Sequence, residues 1–240
     1  MRLKNRFKLH MDDGYDIMKH TPAQSIDVII TDPPYLLSEH YTGEIVLTGR
    51  ENVNKYKMSN FDMEFEPERL VDDFERIIKP AGNIFIFTSD NLIGRYFDLF
   101  NPIFDTVRLF TWHKTNPAMQ IRKKSFLHST EHIICCWKKG HKFNFLGQRR
   151  MHNHFECPTA SGRERCIHPR HPFQKPERLL KYFIEISSDE DDIIFDPFAG
   201  VASTGAAALK LGRRFAGVEI EYDYYIQGVR RLSKLEPFSI

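Results

Sequence analysis

No apolar run in this chain approaches the roughly 18 consecutive residues that a membrane-spanning helix requires. The opening Met1-Arg2-Leu3-Lys4-Asn5-Arg6-Phe7-Lys8 carries no apolar core of a secretory signal. A cytoplasmic protein with no membrane partner is expected. Cysteine is scarce: four in 240 residues, with Cys135 and Cys136 adjacent, which is not a disulfide framework in a chain of this size. Internal repeats and low-complexity tracts are missing. So is any Gly-x-Gly-x-x-Gly, the turn that takes a dinucleotide pyrophosphate. The net charge of +2 is too small to mark a nucleic-acid binder by itself, so such a reading has to rest on local clustering.

What remains is an ordinary globular composition, 41% hydrophobic and 28% charged, long enough for one large domain with an insertion. Its most informative stretch runs from Asp27 to Tyr35. Val28, Ile29 and Ile30 form a short β-branched run that predicts a buried strand of an α/β sheet. Asp32, Pro33, Pro34 and Tyr35 follow. The prolines remove two backbone donors, so the chain cannot pair onward and its carbonyls stay open to accept hydrogen bonds. A carboxylate, free carbonyls and a ring at the end of a parallel strand make a cradle for a planar group bearing an NH2. The same four residues could equally build a structural turn.

Before this stretch, Leu9 to Met11 predicts a weak strand, and Asp12 either touches a ligand or caps the helical turn after it. After it, 36–60 reads as a long loop beside the site. Leu70, Val71, Phe74, Ile77 and Ile78 have helical spacing, with Pro80 to Gly82 as the stop, and 83–88 predicts a second buried strand. A helix over 91–100 follows, then strands over 107–112 and 131–137 joined as a hairpin. From His141 to His171 the apolar periodicity fades, and Lys142, Arg149, Arg150, Arg163, Arg165 and Arg170 accumulate with five histidines. This excess suits a surface meeting phosphates, or a solvated loop with a charge bias. His152, His154, Cys157, Cys166 and His168 raise a zinc site, but they lack the paired two-residue spacings of zinc modules, so no metal is expected.

The final third predicts a helix over 178–187 begun by Pro176, whose exposed amides favour an anionic group. A strand over 193–195 leads into the turn Asp196-Pro197-Phe198-Ala199-Gly200-Val201-Ala202-Ser203-Thr204-Gly205, then a helix over 206–211 and a strand over 215–218 ending in Glu219. Strand, glycine-bearing turn, helix, strand and acid about 20 residues on is the arrangement that grips a nucleoside. Asp196 beside the turn suits a positively charged ligand, such as a sulfonium with an amino acid tail.

Asp32-Pro33-Pro34-Tyr35 together with Asp196-Pro197-Phe198-Ala199-Gly200 resembles the two signature motifs of the S-adenosylmethionine-dependent DNA methyltransferases that modify exocyclic amino groups. His171-Pro172, Gln174-Lys175-Pro176 and the segment Trp112 to Pro117 resemble further motifs, so the likeness spans about residues 9–232. Because the Asp32 motif precedes the cofactor turn, with the basic region between, the order is similar to the permuted beta group. The resemblance implies an α/β fold, a Rossmann-like seven-stranded sheet with helices on both faces and circularly permuted motif order. It is a single domain over 1–240, with 36–60 near the active site and about 141–170 as a target-recognition insertion. It implies S-adenosylmethionine held by Asp12, His171, Lys175, Asp196, Pro197, Phe198, Gly200, Ser203, Thr204 and Glu219, and double-stranded DNA contacted by Lys114, Asn116, Arg122, Arg149, Arg150, Arg163 and Arg165. One departure stands out: Ala202 occupies the place of a second glycine, tolerable if φ there is negative.

By the same resemblance, Asp32 and the Pro33 carbonyl accept both hydrogens of the target amine and Tyr35 stacks on the flipped base. No cysteine follows a proline as in ring-carbon methyltransferases. Asp rather than Ser at position 32 favours adenine N6 over cytosine N4. An RNA adenine, a glutamine side chain and a non-catalytic nucleic-acid-binding module of the same fold are the competing readings. A homodimer and a cognate restriction enzyme stay open as partners.

Overall fold

In a computed structural model, the described residues are 6–34, 45–46, 55–56, 65–119, 123, 126–166, 171 and 173–236. Tyr35, Arg122, His168, Arg170, the Arg163 side chain and most of 36–60 lie outside them.

The apolar runs are strands because they can be buried on both faces. Along β2 (Ile26–Thr31), Val28 and Ile30 face one core while Ile29 faces the other. In β5 (Ile78–Thr88), Phe85 and Phe87 oppose Ile84 and Ile86 in the same way, and in β7 (Thr130–Trp137), Ile133 and Cys135 oppose Ile134 and Cys136. This period of two, with no polar face, is the signature of a sheet covered on both sides. It also explains the adjacent cysteines. They point to opposite cores, both free, and burial pushes both thiols far above the ordinary cysteine range.

Eight strands form one sheet in the order β1-β10-β9-β2-β5-β7-β6-β8, where β1 is Phe7–Met11, β6 Thr106–Lys114, β8 His154–Cys157, β9 Ile193–Asp196 and β10 Arg214–Glu219. The first five of that order are mutually parallel, β7 runs antiparallel to both β5 and β6, and β8 adds parallel to β6. One face is covered by α1 (Gly14–His20), α2 (Glu68–Ile77) and α3 (Ile93–Phe100), the other by α4 (Glu177–Ser187), α5 (Ser203–Lys210) and α6 (Tyr222–Ser233).

Three expectations change. The sheet has eight strands, not seven, because four residues of the basic region pair with the β6 edge; a run that short carries no readable periodicity. The region 36–60 holds two short paired strands, β3 (Ile45–Val46) and β4 (Lys55–Tyr56). Pro80 to Gly82 belong to β5, where the pairing with β2 slips between Ile26 and Val28; a Cβ at Gly82 would lie 2.7 Å from the Asp27 carbonyl oxygen, so this crossing needs glycine.

Candidate functional site

Parallel strands share direction, so β1, β10, β9, β2 and β5 all deliver their carboxyl ends to one edge of the sheet. That edge receives Asp12, Glu219, Asp196 and Asp32 from four neighbouring strands. The antiparallel β7 brings its first residues there too, and with them Glu131. Ligands of open α/β sheets bind at this edge.

Asp196 ends β9 and is 3% exposed. Its carboxylate accepts from Thr204 Oγ1 at 2.8 Å and from the Phe198 amide at 3.1 Å. Burial still outweighs these bonds and pushes its pKa up to about 7. Glu219, at the end of β10, accepts from the Gly200 amide at 2.7 Å and the Glu221 amide at 2.7 Å, and burial raises it likewise to about 7. The chain closes the 199–202 turn against β10 through the Ala199 amide and the Val218 carbonyl, 2.8 Å apart. Gly200 sits at φ 53°, and a Cβ there would come 2.9 Å from His171 Nε2. His171 packs on Tyr224, and its Nδ1 is buried without a partner among the described residues. Burial, reinforced by the charges of Lys175, Arg231 and Arg165, lowers its pKa to about 4, so it is neutral at physiological pH.

Not every predicted cofactor residue points where expected. Asp12 is exposed at the end of β1, where its amide reaches the Glu219 carbonyl at 3.2 Å; the cap of α1 is Asp13, which accepts from the Tyr15 amide at 2.7 Å. Ser203 Oγ accepts from Arg231 at 2.7 Å, bracing the turn from α6, and Thr204 orients Asp196. The Pro197 carbonyl lies so close to Gly14 that any side chain there would strike it, and Phe198 packs edge-on against Tyr15 at 5.8 Å and Phe65 at 5.9 Å. Ala202 overturns the expectation of negative φ: it sits in the left-handed region at φ 55°, ψ 45°, fully buried at the start of α5.

Lys175, expected at the cofactor, is turned to two carboxylates. Its side chain is 6% exposed, and its ammonium bridges Asp32 Oδ2 at 2.6 Å and Glu131 Oε2 at 3.1 Å, above the Phe87 ring. Glu131 Oε1 is held on its other side by Lys114 at 2.8 Å. Lys114 is only 13% exposed and also reaches the His128 carbonyl, so it is turned into the protein rather than towards phosphates. Sequence reasoning passed over Glu131, although a carboxylate heading an apolar strand is a signal in itself, since burying it demands a cation.

The other basic residues divide. Lys142 is neutralised by Asp189 and Asp192, and Arg165 lies near His171. Asn116 Oδ1 accepts from the Thr159 amide and hydroxyl, tying the loop after β6 to the segment after β8. Arg149 and Arg150 are exposed and, with Arg178, Lys181, Glu156 and Glu185, line an open groove of about 510 Å³ between β8 and α4, in which Arg150 pairs with Glu185 at 2.9 Å. Among the described residues no cluster of three or more potential metal ligands exists.

The fold and site define an α/β protein whose parallel strands gather the buried carboxyl groups of Asp196 and Glu219 at one sheet edge, with Asp32 on the neighbouring strand. Residues 26–230 match the N6_N4_Mtase family model, described as DNA methylase, and the chain belongs to that family and is a DNA methyltransferase. It is similar to the type II methyltransferase M2.DpnII of Streptococcus pneumoniae, 31% identical over 244 residues covering 95% of this chain and 90% of the relative. It is also similar to M2.MboI of Moraxella bovis, 29% identical over 251 residues covering 96% and 89%. Among solved structures, the M1.HpyAVI–SAM complex superposes with a TM-score of 0.70 at 24% identity, covering 94% of this chain and 98% of that one. The cytosine-N4-specific PvuII DNA methyltransferase superposes at 0.75 and 15% identity, covering 98% and 88%.

Proposed function

We propose that this chain is a beta-group, S-adenosylmethionine-dependent DNA methyltransferase acting on the N6 amine of adenine. The observation that carries the reading is the adjacency of the parallel strands β2 and β9: Ile29 pairs with Phe195, so the two strands end side by side at one edge of the sheet, β2 running into Asp32 and β9 into the Asp196 turn. The residues present fit the donor. A buried carboxyl group with its pKa raised to about 7, an imidazole nitrogen with no partner among the described residues and a turn that admits no side chain at Gly200 suit a cationic nucleoside. When bound, S-adenosylmethionine supplies an electrophilic methyl group on a sulfonium. Asp196 offers it negative charge, Glu219 and Asp12 offer acceptors at the neighbouring strand ends, and Gly200, Pro197 and Phe198 shape the wall.

At the β2 end, an adenine amine is a poor nucleophile because its lone pair is delocalised into the ring. Asp32 and the Pro33 carbonyl accept its two hydrogens, favour a pyramidal nitrogen and stabilise the positive charge that grows there. Pro34 keeps this backbone from pairing, and Tyr35 stacks on a base extruded from the duplex. The methylated nitrogen is so acidic that a weakly basic carboxylate suffices to take its proton. The duplex lies against Arg149, Arg150, Arg163 and the loop containing Asn116 and Arg122, with 141–170 as the target-recognition segment. A cytoplasmic location and a restriction enzyme of the same site as partner belong to this reading, in keeping with the type II methyltransferases it is similar to; size-exclusion chromatography separates a monomer from a homodimer.

The test is transfer of tritiated methyl from S-adenosylmethionine into duplex DNA, followed by nucleoside analysis. N6-methyladenine made by the natural chain and not by Asp32→Ala is the expected result. N4-methylcytosine, or label only in RNA or protein, overturns the assignment.

A further inference from the structure

The chain between Asp32 and the hairpin is bridged by one buried lysine. Lys175 comes from the segment ahead of α4, Asp32 from the end of β2 and Glu131 from the start of β7, while β5 lies between those two strands. The ammonium therefore sits across the end of β5, over Phe87, donating a hydrogen bond to Asp32 Oδ2 and facing Glu131 Oε2 at 3.1 Å as an ion pair. Burial works against the Lys175 ammonium, but the charges of Asp32 and Glu131 outweigh it and hold its pKa above the ordinary lysine value. Burial likewise opposes the Glu131 carboxylate, and Lys175 and Lys114 together hold its pKa below the usual range. The four side chains follow one another in the alternating order Asp32, Lys175, Glu131, Lys114.

We propose that Lys175, steered by Glu131 and Lys114, is a positioning residue for methyl transfer that holds the Asp32 carboxylate charged and in one rotamer. The inference rests on Asp32 being the acceptor of the target amine. Four ionic groups in so little water are worth little to stability compared with apolar side chains of the same volume. A hydrogen-bond acceptor aimed at a reacting nitrogen, by contrast, has to be fixed in advance. Lys175 fixes Oδ2, and Glu131 prevents the ammonium from swinging away with its own attraction on the far side. Among the described residues, Asp196 from β9 and Tyr96 from α3 also sense the charge of Asp32, and His171 ahead of α4 senses that of Lys175; none of these three is a cation at neutral pH.

Removing the ammonium leaves two carboxylates in one enclosure, and like charges so placed cannot both stay ionised. In Lys175→Met, the single-turnover transfer rate at saturating S-adenosylmethionine should fall at least 100-fold at pH 7 and recover as pH rises, because one carboxylate has taken up a proton. Donor affinity should change less than threefold. In the double variant Lys175→Met/Glu131→Gln the repulsion is gone: its rate at pH 7 should exceed that of the single variant at least tenfold, with a flat pH profile. A lysine of merely structural importance would change the melting temperature and leave the pH profile alone.

A wild-type rate in Lys175→Met, a double variant no faster than the single one, or a 100-fold loss of donor affinity with an unchanged saturated rate each overturns the proposal. The last would make Lys175 a cofactor residue. Should Lys175→Met not fold, the double variant decides: a rate 10- to 100-fold below wild type is expected, and a wild-type rate overturns the inference. Asp32→Asn, measured alongside, separates the two levels. If it transfers at the wild-type rate, the reading of Asp32 fails and the proposal with it; if it is inactive while Lys175→Met is normal, only the role of the lysine fails.

Discussion

At the scale of single residues, Asp32 and Ala202 show two different demands of one edge. Asp32→Asn keeps shape and a neutral acceptor oxygen but loses the charge that, in the proposed role, faces the developing ammonium. Removing one such preorganised group costs about 10²–10³ in rate, so single-turnover transfer should fall by that factor while donor affinity, set on β9 and β10, is retained. Equal losses in both would mean that Asp32 serves the cofactor. Ala202 is held left-handed, at about 1 kcal/mol or more for an alanine. Relief of that cost in Ala202→Gly is offset by the extra freedom of glycine in the unfolded chain, so stability should stay within about 1 kcal/mol. Ala202→Val puts a branched side chain into the same backbone and into full burial beside Gly228, where overpacking costs about 1–3 kcal/mol on top of the strain. Thermal melts of the two variants should therefore diverge by several degrees, and matching melts would refute the strained-turn account.

At the scale of elements, the sequence was most readable where burial is symmetrical. The double-faced apolar runs of β2, β5, β7 and β9 announced themselves by composition, and the spacing of Leu70, Phe74 and Ile77 announced α2. β8 was hidden because its four residues gain their place only from the exposed edge of β6, a partner more than forty positions away. Lys175 was misplaced for a related reason: a sequence shows that a lysine stands before a helix, not which carboxylates fold around it. The basic run was legible as charge but not as geometry, since Lys142 and Lys114 are spent internally and Arg150 pairs with Glu185, while Arg178 and Lys181, from α4, join Arg149 at the groove. If that groove follows a DNA backbone, Arg178→Glu/Lys181→Glu should weaken duplex binding at least tenfold and make the slope of log affinity against log salt shallower by about two, near 0.9 for each lost phosphate contact. Donor affinity should not move. Unchanged duplex affinity would take the DNA off this face.

At the scale of the whole molecule, the parallel sheet concentrates carboxylates at one edge before any ligand arrives. Burial raises Asp196 from 3.8 to about 7 and Glu219 from 4.5 to about 7. A carboxylate whose folded pKa exceeds its unfolded value takes up a proton more readily in the native state, so its contribution to stability is fullest at low pH and declines as pH rises from about 4 to about 7. Glu131, held below its ordinary value by Lys175 and Lys114, runs the opposite way, but only below about pH 4.5. Between pH 5.5 and 8 the unliganded protein should therefore lose melting temperature, because the two carboxyl groups together outweigh His171, whose pKa lowered to about 4 adds stability only as pH rises towards 6.5. A cationic donor reverses this, because it binds the ionised carboxylates and its sulfonium charge does not titrate. The rise in melting temperature on adding S-adenosylmethionine should consequently grow as pH climbs through 7, following the affinity. Asp196→Asn should flatten much of both trends and weaken donor binding at least tenfold. Scanning calorimetry with and without the donor reads both; a ligand-induced rise that stays constant from pH 5.5 to 8.5 would mean that the buried carboxylates do not meet the donor's positive charge.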